Sequence, residues 1–405
     1  MIHRNWRKSA MLALAAALLM TLVLPIVKAD SLPPVETRPA NTGYQPAFPG
    51  QTRAPGMKTE APYNVEILTN DLDNPWAVTT LSDGQLIITQ KAGTVRIYSF
   101  EHGLTAPIPG ITGVADNGQG GLLDVAPAPD FSQSRLLYFT LAERRDSGSL
   151  TALGRGRLAE DESAIENFEI LWRANPAFNG SGHFGSRLAF DSEGFLFVST
   201  GDRQSGQTRP KAQHKDSAYG KIVRLTKDGL SAPGNPFEGQ AGALTELWSL
   251  GHRNVQGLAI HPVTGQLWAS EMGPRGGDEL NLIQPGLNYG WPTIGYGVEY
   301  SGVKVGEGLT QMEGMEQPVY YWDPVLASSG MAFYSGDAIP EWQNGLFIGG
   351  LAGSHISRLK LEGDRVTGEE RLLADEGQRF RDIADGPDGA LYAVTDQGRL
   401  YRIGL

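Results

Sequence analysis

One pattern recurs six times along this chain and constrains its fold more than any other feature. Each copy has a turn containing Gly, Asp or Asn, then a short apolar run that ends in Thr, Ser or Gly. The copies occupy residues 83–89, 136–140, 193–199, 265–270, 345–349 and 388–395, with leucines at Leu86, Leu136, Leu196, Leu267, Leu346 and Leu391. These leucines are 45 to 79 residues apart, which is enough chain for one four-stranded sheet with loops of varying length in every repeat.

Six such sheets predict an all-β fold, a six-bladed β-propeller of four-stranded antiparallel blades. A sheet of this size cannot bury both faces alone, and radial closure leaves only short, protected edges. A pair of β-sandwiches and a β-helix are the alternatives, and the irregular spacing argues against the β-helix. We expect the first strand after Tyr63 to pair with the last strand, near residues 400–403, and so to close the ring.

The first residues predict export. Four basic residues precede an uncharged stretch from Ala10 to Val27, and the following residues are typical of a small-x-small cleavage site. We interpret residues 1–29 as the signal peptide of a periplasmic protein, with an uncleaved membrane anchor as the alternative. Residues 30–62 contain seven prolines and predict an extended tether without a core of its own. The propeller is expected over residues 63–405, with no further membrane span.

Composition narrows the partners and the sources of stability. The chain has no cysteine, so disulfides and thiolate metal ligands cannot stabilise it, and calcium bound by oxygen is the natural metal. The formal net charge is −11, and loss of the basic leader makes the remainder more acidic. Nucleic acid and anionic membrane surfaces are therefore not expected as partners.

Two glycine-rich loops between the repeats carry candidate chemistry. In the loop at 118–124, glycines let the backbone approach a ligand closely, and the Gln119 amide can donate and accept hydrogen bonds. A plain turn is the alternative. In the loop at 182–187, His183 lies at a strand entrance, where propeller loops converge on the central channel. A neutral imidazole there can take a proton from a substrate, and a structural histidine is the alternative.

Two further loops suit an anionic ligand and a metal. Residues 251–257 place Arg253 beside Asn254, a cation and an amide that suit an anionic, carbonyl-rich ligand. A solvated charge beside a turn-forming asparagine is the alternative. Residues 271–281 combine backbone carbonyls next to Gly and Pro with acidic side chains, which supply the oxygen ligands that calcium prefers.

Taken in order, these loops resemble those of a known family. The motifs are residues 183–185, 251–257, 273–279, 329–334 and 377–382, within a stretch that runs from Asn74 to Arg402. The chain resembles the soluble quinoprotein glucose/sorbosone dehydrogenase family, and most closely its bacterial periplasmic aldose sugar dehydrogenases. The resemblance implies a six-bladed propeller with pyrroloquinoline quinone (PQQ) across the mouth of the channel and Ca²⁺ beside it.

The resemblance also implies roles for individual residues. His183 corresponds to the general base, and Arg253 to the residue beside the reactive quinone carbonyl. The cofactor-binding positions are matched by Gln119, Asn254, Arg379 and Arg381, and the sugar-contacting positions by Gln119 and Trp322. The backbone carbonyls of Gly273 and Pro274 match ligands of a catalytic calcium, and Glu279 and Tyr289 match a second, structural calcium site.

The sequence departs from the family pattern at two positions. Family members commonly carry a lysine that reaches the cofactor from the loop after the fifth repeat, and Ala352 stands there. In glucose-oxidising members the residue before the catalytic histidine is often an aspartate that contacts sugar, and here it is Gly182. The first departure removes a charge contact, and the second weakens an assignment of glucose selectivity.

The implied reaction is oxidation of an aldose at C1 to its lactone, with electrons passed to an external acceptor such as a cytochrome or a quinone pool. Related enzymes can form homodimers. Three alternatives stay open: a calcium-dependent lactonase, a carbohydrate- or protein-binding propeller, and a family member that has lost the quinone. Arg379 and Arg381 argue against the lactonase, whereas Ala352 makes the loss of the quinone the most serious alternative.

Overall fold

The computed structural model describes residues 32–405, where nearly all regular structure is β-strand. The predicted signal peptide, residues 1–29, lies outside the described residues. The helical segments are short: α1 (Phe131–Ser134) and 3₁₀ turns at Arg209–Gln213, Pro340–Trp342 and Ala374–Glu376. No helix in residues 32–405 has the length and apolar character needed to cross a membrane.

The strands form six antiparallel sheets of four, which are the blades of a β-propeller. Strand β1 (Asn64–Thr69) belongs to the last blade. Blade 1 contains β2 (Pro75–Thr80), β3 (Leu86–Gln90), β4 (Thr94–Ser99) and β5 (Gly103–Leu104). Blade 2 contains β6 (Leu122–Pro127), β7 (Leu136–Arg145), β8 (Gly148–Leu158) and β9 (Ile165–Arg173). Blade 3 contains β10 (Leu188–Phe190), β11 (Leu196–Ser199), β12 (Lys221–Leu225) and β13 (Leu247–Leu250).

The second half of the ring is built in the same way. Blade 4 contains β14 (Val255–Ile260), β15 (Leu267–Glu271), β16 (Asp278–Ile283) and β17 (Tyr320–Trp322). Blade 5 contains β18 (Ser328–Phe333), β19 (Leu346–Gly350), β20 (Ile356–Glu362) and β21 (Arg365–Leu372). Blade 6 contains β22 (Phe380–Asp385), β23 (Leu391–Thr395), β24 (Leu400–Gly404) and β1. The predicted all-β, six-bladed fold is confirmed.

The sequence repeat corresponds to the second strand of each blade. Every one of its six leucines is the first residue of that strand. The hydroxyl residues that end four of the copies donate hydrogen bonds to backbone carbonyls of the next blade: Thr89 to Leu123 (2.5 Å), Thr140 to Ser186 (2.6 Å), Ser199 to Val255 (3.1 Å) and Ser270 to Ser329 (3.2 Å). The Thr or Ser in the pattern is therefore a buried link between neighbouring blades.

Blade 5 makes its link differently. Its repeat has Gly349 at the corresponding position, and a Cβ there would lie 2.6 Å from the carbonyl oxygen of Phe380 in blade 6. The approach of the two backbones leaves no room for a side chain. Ser329, on the inner strand of blade 5, donates instead to the Phe380 carbonyl at 2.7 Å.

The ring closes through the two ends of the propeller. Strand β1 pairs antiparallel with β24, with Val65 opposite Ile403 and Glu66 opposite Arg402. Blade 6 thus takes three strands from the C-terminal end of the chain and its outermost strand from the N-terminal end. The predicted pairing of the first strand after Tyr63 with the last strand is confirmed.

The segment from residue 32 to residue 62 is attached to the outside of blades 4 and 5. It contains no helix or strand of its own, but Gly56 forms a parallel bridge with Glu369 on β21. The backbone N–H groups of Asn41 and Thr42 donate to the carboxylate of Asp323 at 2.7 and 3.0 Å. Since β21 is the outermost strand of blade 5, the segment covers a sheet edge that would otherwise offer unpaired backbone groups.

The first strands of the blades contact one another around a central channel. Arg187, at the start of blade 3, is buried in this channel between the carboxylates of Asp382 (2.9 Å) and Asp124 (3.3 Å). Its guanidinium also donates to the Gln256 carbonyl at 2.6 Å and lies 4.1 Å from the ring centre of Trp76. Burial raises the pKa of Asp124 to about 6, although Arg187 opposes the shift. The channel interior is thus a polar network whose charges are paired.

Candidate active site

A cavity of about 200 Å³ lies at one end of the channel, which we call the mouth. Its polar wall comprises Lys91, Gln119, Asn254, Gln256, Arg379 and Arg381. Its apolar wall includes Trp76, Leu123, Phe184, Met272 and Leu351. These residues come from all six blades, and they meet because the loops before the first strands and after the second strands emerge at the same end of the sheets.

His183 lies beside this cavity, with its side chain 3% exposed. Its Nδ1 is 2.6 Å from Oδ1 of Asp202, and its backbone N–H donates to Oε1 of Gln119 at 2.8 Å. Among the described residues, the only side-chain hydrogen bond of His183 is made by Nδ1, and Nε2 has no partner. A proton on Nδ1 is held by the carboxylate, so the lone pair of Nε2 stays available to accept another. Burial, reinforced by the charge of Arg253, lowers the pKa of His183 and favours the neutral base.

Asp202 is a site residue that the sequence analysis missed. Its Oδ2 accepts the indole N–H of Trp291 at 2.8 Å, and its backbone N–H donates to the Arg253 carbonyl at 2.8 Å. Burial alone would raise the pKa of Asp202, but the hydrogen bond to His183 and the charge of Arg253 hold it below its usual range. Asp202 follows the third repeat directly, at the mouth end of β11, and that position was the available signal.

Arg203 anchors the loop that carries His183, which we call the histidine loop. Its guanidinium donates to the carbonyls of Gly182 (3.1 Å), Gly180 (2.6 Å) and Ser149 (2.7 Å), and it lies 3.9 Å from the ring centre of Phe184. None of these contacts is with a carboxylate. Burial therefore lowers the pKa of Arg203 to about 10, and the guanidinium is held by carbonyl dipoles and an aromatic face.

Arg253 is buried and lines a second, smaller cavity, which shares Met272 with the mouth. Its Nη1 donates to the carbonyls of Met272 (2.9 Å) and Gly273 (2.7 Å), and its guanidinium carbon is 5.2 Å from the ring centre of Trp291. Its Nε is buried without a hydrogen-bond partner among the described residues. The backbone N–H of Arg253 donates to Oε2 of Glu271 at 2.6 Å, which fixes the backbone position from which the Arg253 side chain extends.

Two amides hold the backbone next to His183 in place. Asn254 accepts the N–H of Gly185 at 3.0 Å, and Gln256 donates to the carbonyl of the same glycine at 2.9 Å. Asn254 was predicted to bind cofactor, and here its Oδ1 supports the histidine loop while its Nδ2 faces the sulfur of Met272 at 3.9 Å. Gln256 lines the mouth as well, and the sequence analysis did not assign it a role.

The mouth carries more cationic than anionic side chains. Arg379 and Arg381 share one carboxylate, Asp396, with N–O distances of 2.8 Å each. Lys91, which the sequence analysis missed, donates to the Gly118 carbonyl at 2.8 Å and lies 3.7 Å from the exposed Asp116. Three cations therefore line a cavity in which one carboxylate compensates two of them. Such a wall favours an anionic ligand.

The four predicted metal-binding residues surround the second cavity, of about 20 Å³. Gly273, Pro274, Glu279 and Tyr289 all line it, together with Arg253 and Glu271. Burial and the neighbouring Glu271 carboxylate raise the pKa of Glu279 well above its usual range. The side-chain oxygen of Asn281 is buried there without a hydrogen-bond partner in the described chain. Within residues 32–405, no group of three or more His, Cys, Asp or Glu side chains is arranged so that it could hold a metal ion.

The interpretation of Trp322 as a wall of the substrate pocket was wrong. Its indole lies in the core between blades 4 and 5, where its N–H donates to Glu369 at 3.0 Å. Tyr320, two residues earlier on β17, donates to the same carboxylate at 2.8 Å. Side chains two apart on a strand share a face, and this face is turned towards blade 5.

Known proteins share this architecture. The family model described as Glucose / Sorbosone dehydrogenase matches residues 72–402. Aldose sugar dehydrogenase YliI of Escherichia coli (strain K12) is 45% identical over 348 residues, which cover 85% of this chain and 93% of that protein.

Two solved structures extend the comparison. The apo-form of the soluble aldose sugar dehydrogenase (Asd) from Escherichia coli has a TM-score of 0.81 at 44% identity, covering 85% of this chain and 99% of that one. The PQQ-bound form of aldose sugar dehydrogenase (Adh) from Streptomyces coelicolor has a TM-score of 0.70 at 29% identity, covering 86% and 99%. With the mouth geometry, the family match and these likenesses together, the chain belongs to the glucose/sorbosone dehydrogenase family.

Proposed function

We propose that this protein oxidises aldose sugars at C1 to their lactones, using bound PQQ and Ca²⁺. The observation that carries the proposal is the pair His183 and Asp202, which presents a neutral imidazole beside a cation-lined cavity. The relatives named aldose sugar dehydrogenase, one of them PQQ-bound, support the choice of substrate and cofactor. The N-terminal sequence supports export to the periplasm.

The residues of the mouth fit PQQ, a flat tricyclic molecule with three carboxylates. Lys91, Arg379 and Arg381 supply the cations for those carboxylates, and the amides of Gln119 and Asn254 supply hydrogen bonds. The rings of Trp76 and Phe184 belong to the same wall and suit a planar ligand. The position of Ala352, after the second strand of blade 5, brings no charge, but Lys91 of blade 1 lines the cavity together with Arg379 and Arg381 of blade 6. Lys91 thus gives the cofactor site a third cation although the family lysine is missing.

The oxygen-rich loop around residues 271–289 fits calcium. The carbonyls of Gly273 and Pro274 are the candidate ligands nearest the mouth, and Gly273 can keep its bond to Arg253 because a carbonyl has two lone pairs. Glu279, Tyr289 and the orphaned oxygen of Asn281 are the candidate donors of a second site. A cation there would also relieve the repulsion between the buried carboxylates of Glu279 and Glu271.

His183 has the central part in the mechanism. Nε2 accepts the proton of the anomeric hydroxyl while Asp202 stabilises the imidazolium that forms. The Arg253 guanidinium lies close enough to lower the pKa of His183, and it favours negative charge that develops on oxygen in the mouth. When bound, PQQ supplies the acceptor for the hydride that leaves C1. The two electrons then pass to an external acceptor, a cytochrome or a quinone.

Reconstitution tests the proposal. The purified apoprotein is titrated with PQQ with and without Ca²⁺, binding is followed by absorbance, and reduction of an artificial dye is measured with a panel of aldoses. We expect saturable binding that needs Ca²⁺ and dye reduction that needs PQQ, Ca²⁺ and sugar together. Failure to bind PQQ would contradict the proposal and favour a propeller that has lost the quinone. If PQQ binds but no aldose is turned over, the cofactor assignment is kept and the assignment of aldoses as substrates is rejected.

A further inference from the structure

Gln204 lies directly against the backbone of the histidine loop. A Cβ built on Gly182 would overlap Oε1 of Gln204 and would lie 2.9 Å from its Cβ and Cδ. The volume next to Gly182 is therefore filled by the side chain of Gln204. The packing therefore requires a glycine before His183, because any side chain at that position would displace Gln204.

The position of Gln204 is fixed by the same atom that orients His183. Its backbone N–H donates to Oδ1 of Asp202 at 2.8 Å, and that oxygen also holds Nδ1 of His183 at 2.6 Å. Arg203 and Gln204 both adopt left-handed backbone conformations, with φ of 63° and 54°. The bonds from the Arg203 guanidinium to Gly180 and Gly182 keep this turn in place. A non-glycine pair in this conformation persists only where its surroundings hold it.

The amide of Gln204 is available to a ligand. The residue is exposed, and neither Oε1 nor Nε2 has a hydrogen-bond partner among the described residues. An amide offers two donors and one acceptor, which suits the hydroxyl groups of a sugar. Nε2 of His183 also has no partner in the described chain. A proton acceptor and an amide are thus anchored on one carboxylate oxygen, and neither has a partner within the described chain.

We propose that Gln204 is a specificity-determining residue whose amide binds the C2 hydroxyl of the aldose while His183 takes the proton from the C1 hydroxyl. The inference rests on the proposed function. Neighbouring hydroxyls on one sugar meet groups on two loops that Asp202 holds together, and Gln204 supplies from the second loop a sugar contact that Gly182 cannot make. Selectivity at C2 is then set by residue 204.

The test compares the reconstituted holoenzyme with its Gln204→Ala variant on D-glucose and 2-deoxy-D-glucose. We expect kcat/KM for glucose to fall about tenfold, the effect of one lost hydrogen bond, and kcat/KM for the 2-deoxy sugar to fall less than twofold. PQQ affinity should stay unchanged. The matched control is Gln133→Ala, on α1 at the opposite end of blade 2. It should leave kcat/KM unchanged for both sugars.

A second pair of variants tests the packing argument independently. Gly182→Ala alone should lower thermal stability and turnover because it displaces the glutamine. Adding Gln204→Gly should recover the thermal stability but not the discrimination against the 2-deoxy sugar. Equal losses on both sugars in Gln204→Ala would overturn the inference and leave the proposed function intact. Absence of PQQ-dependent turnover in the wild-type protein would overturn both.

Discussion

The interior of the channel and its mouth are both rich in buried polar groups, but they use them in opposite ways. In the interior, Arg187 has two carboxylate partners, a carbonyl and an aromatic face. Beside the mouth, Nε2 of His183 has no hydrogen-bond partner within residues 32–405, and neither has Nε of Arg253 in the adjoining cavity. Paired groups hold the ring together, whereas groups left without partners can be completed by a ligand.

The two buried arginines next to these regions show the same contrast. Arg187 neutralises Asp124 and Asp382 and is neutralised by them. Arg203 is held by carbonyls, the Ser149 hydroxyl and the ring of Phe184, so no direct ion pair neutralises its charge behind the mouth. A buried arginine can therefore be stabilised by carboxylates or by neutral dipoles. Only the neutral dipoles leave its positive charge uncompensated, so that it can attract an anionic ligand.

The largest effect is expected at the mouth. His183→Ala should lower turnover with aldoses by about 10²- to 10⁴-fold, because a positioned general base is lost. PQQ affinity, measured by absorbance titration, should change less than twofold, and the free energy of unfolding should change less than in the channel variant below. Undiminished turnover would show that His183 is structural.

The opposite pattern is expected in the channel. Arg187→Met leaves two carboxylates buried without their cation and should lower the free energy of unfolding by about 3–5 kcal/mol. Urea unfolding measures this loss, and adding Asp124→Asn with Asp382→Asn should recover part of it. A loss below about 1 kcal/mol would contradict the view that paired charges hold the ring together.

Asp202 tests how the mouth controls its base. Asp202→Asn should lower kcat about a hundredfold, because an amide can favour the wrong tautomer of His183. Since the base works when neutral and its pKa is lowered, wild-type turnover should be constant above pH 6.5 and fall as the pH drops through the shifted pKa. Removing the carboxylate removes a group that raises this pKa, so the acid limb of the variant should lie at still lower pH. If the acid limb of the pH profile of Asp202→Asn coincides with that of the wild type, Asp202 has a purely structural role.

The smallest effect concerns the charge excess of the mouth. Lys91→Gln should weaken PQQ binding about tenfold at low salt and less at high salt, as expected for a charge-assisted contact. Lys227→Gln, an exposed lysine at the other end of the blades, is the matched control. Ala352→Lys should tighten binding. Equal affinities of Lys91→Gln and the wild type would remove Lys91 from the cofactor site.

The sequence predicted those parts of the fold that depend on local pattern. Each repeat leucine starts a second strand and packs into one of the hydrophobic cores, five of them buried and Leu136 partly buried, whatever the length of the loops. Trp322 was misinterpreted although its pairing with Tyr320 at i and i+2 was visible, because a motif position was given more weight than strand alternation.

The partners of His183 could not be predicted in this way. Asp202 and Gln204 lie on the loop after β11, two strands beyond the histidine; their position after the third repeat puts them at the mouth, but their spacing does not show which of them contacts His183. Lys91 comes from blade 1 and meets Arg379 and Arg381 of blade 6 only because the ring closes. Contacts across the mouth depend on closure, which is a property of the whole chain.

Closure also has a consequence for how the chain folds. Val65 and Ile403 are opposite each other in one blade although almost the whole propeller lies between them in sequence. A chain made from its N terminus holds β1 without its partner until β24 has been completed. Contacts of such long range slow folding, because the entropy of closing the loop is lost before the contact is gained. The sixth blade, and with it the placement of Arg379 and Arg381, is therefore the last part of the molecule that can form during synthesis.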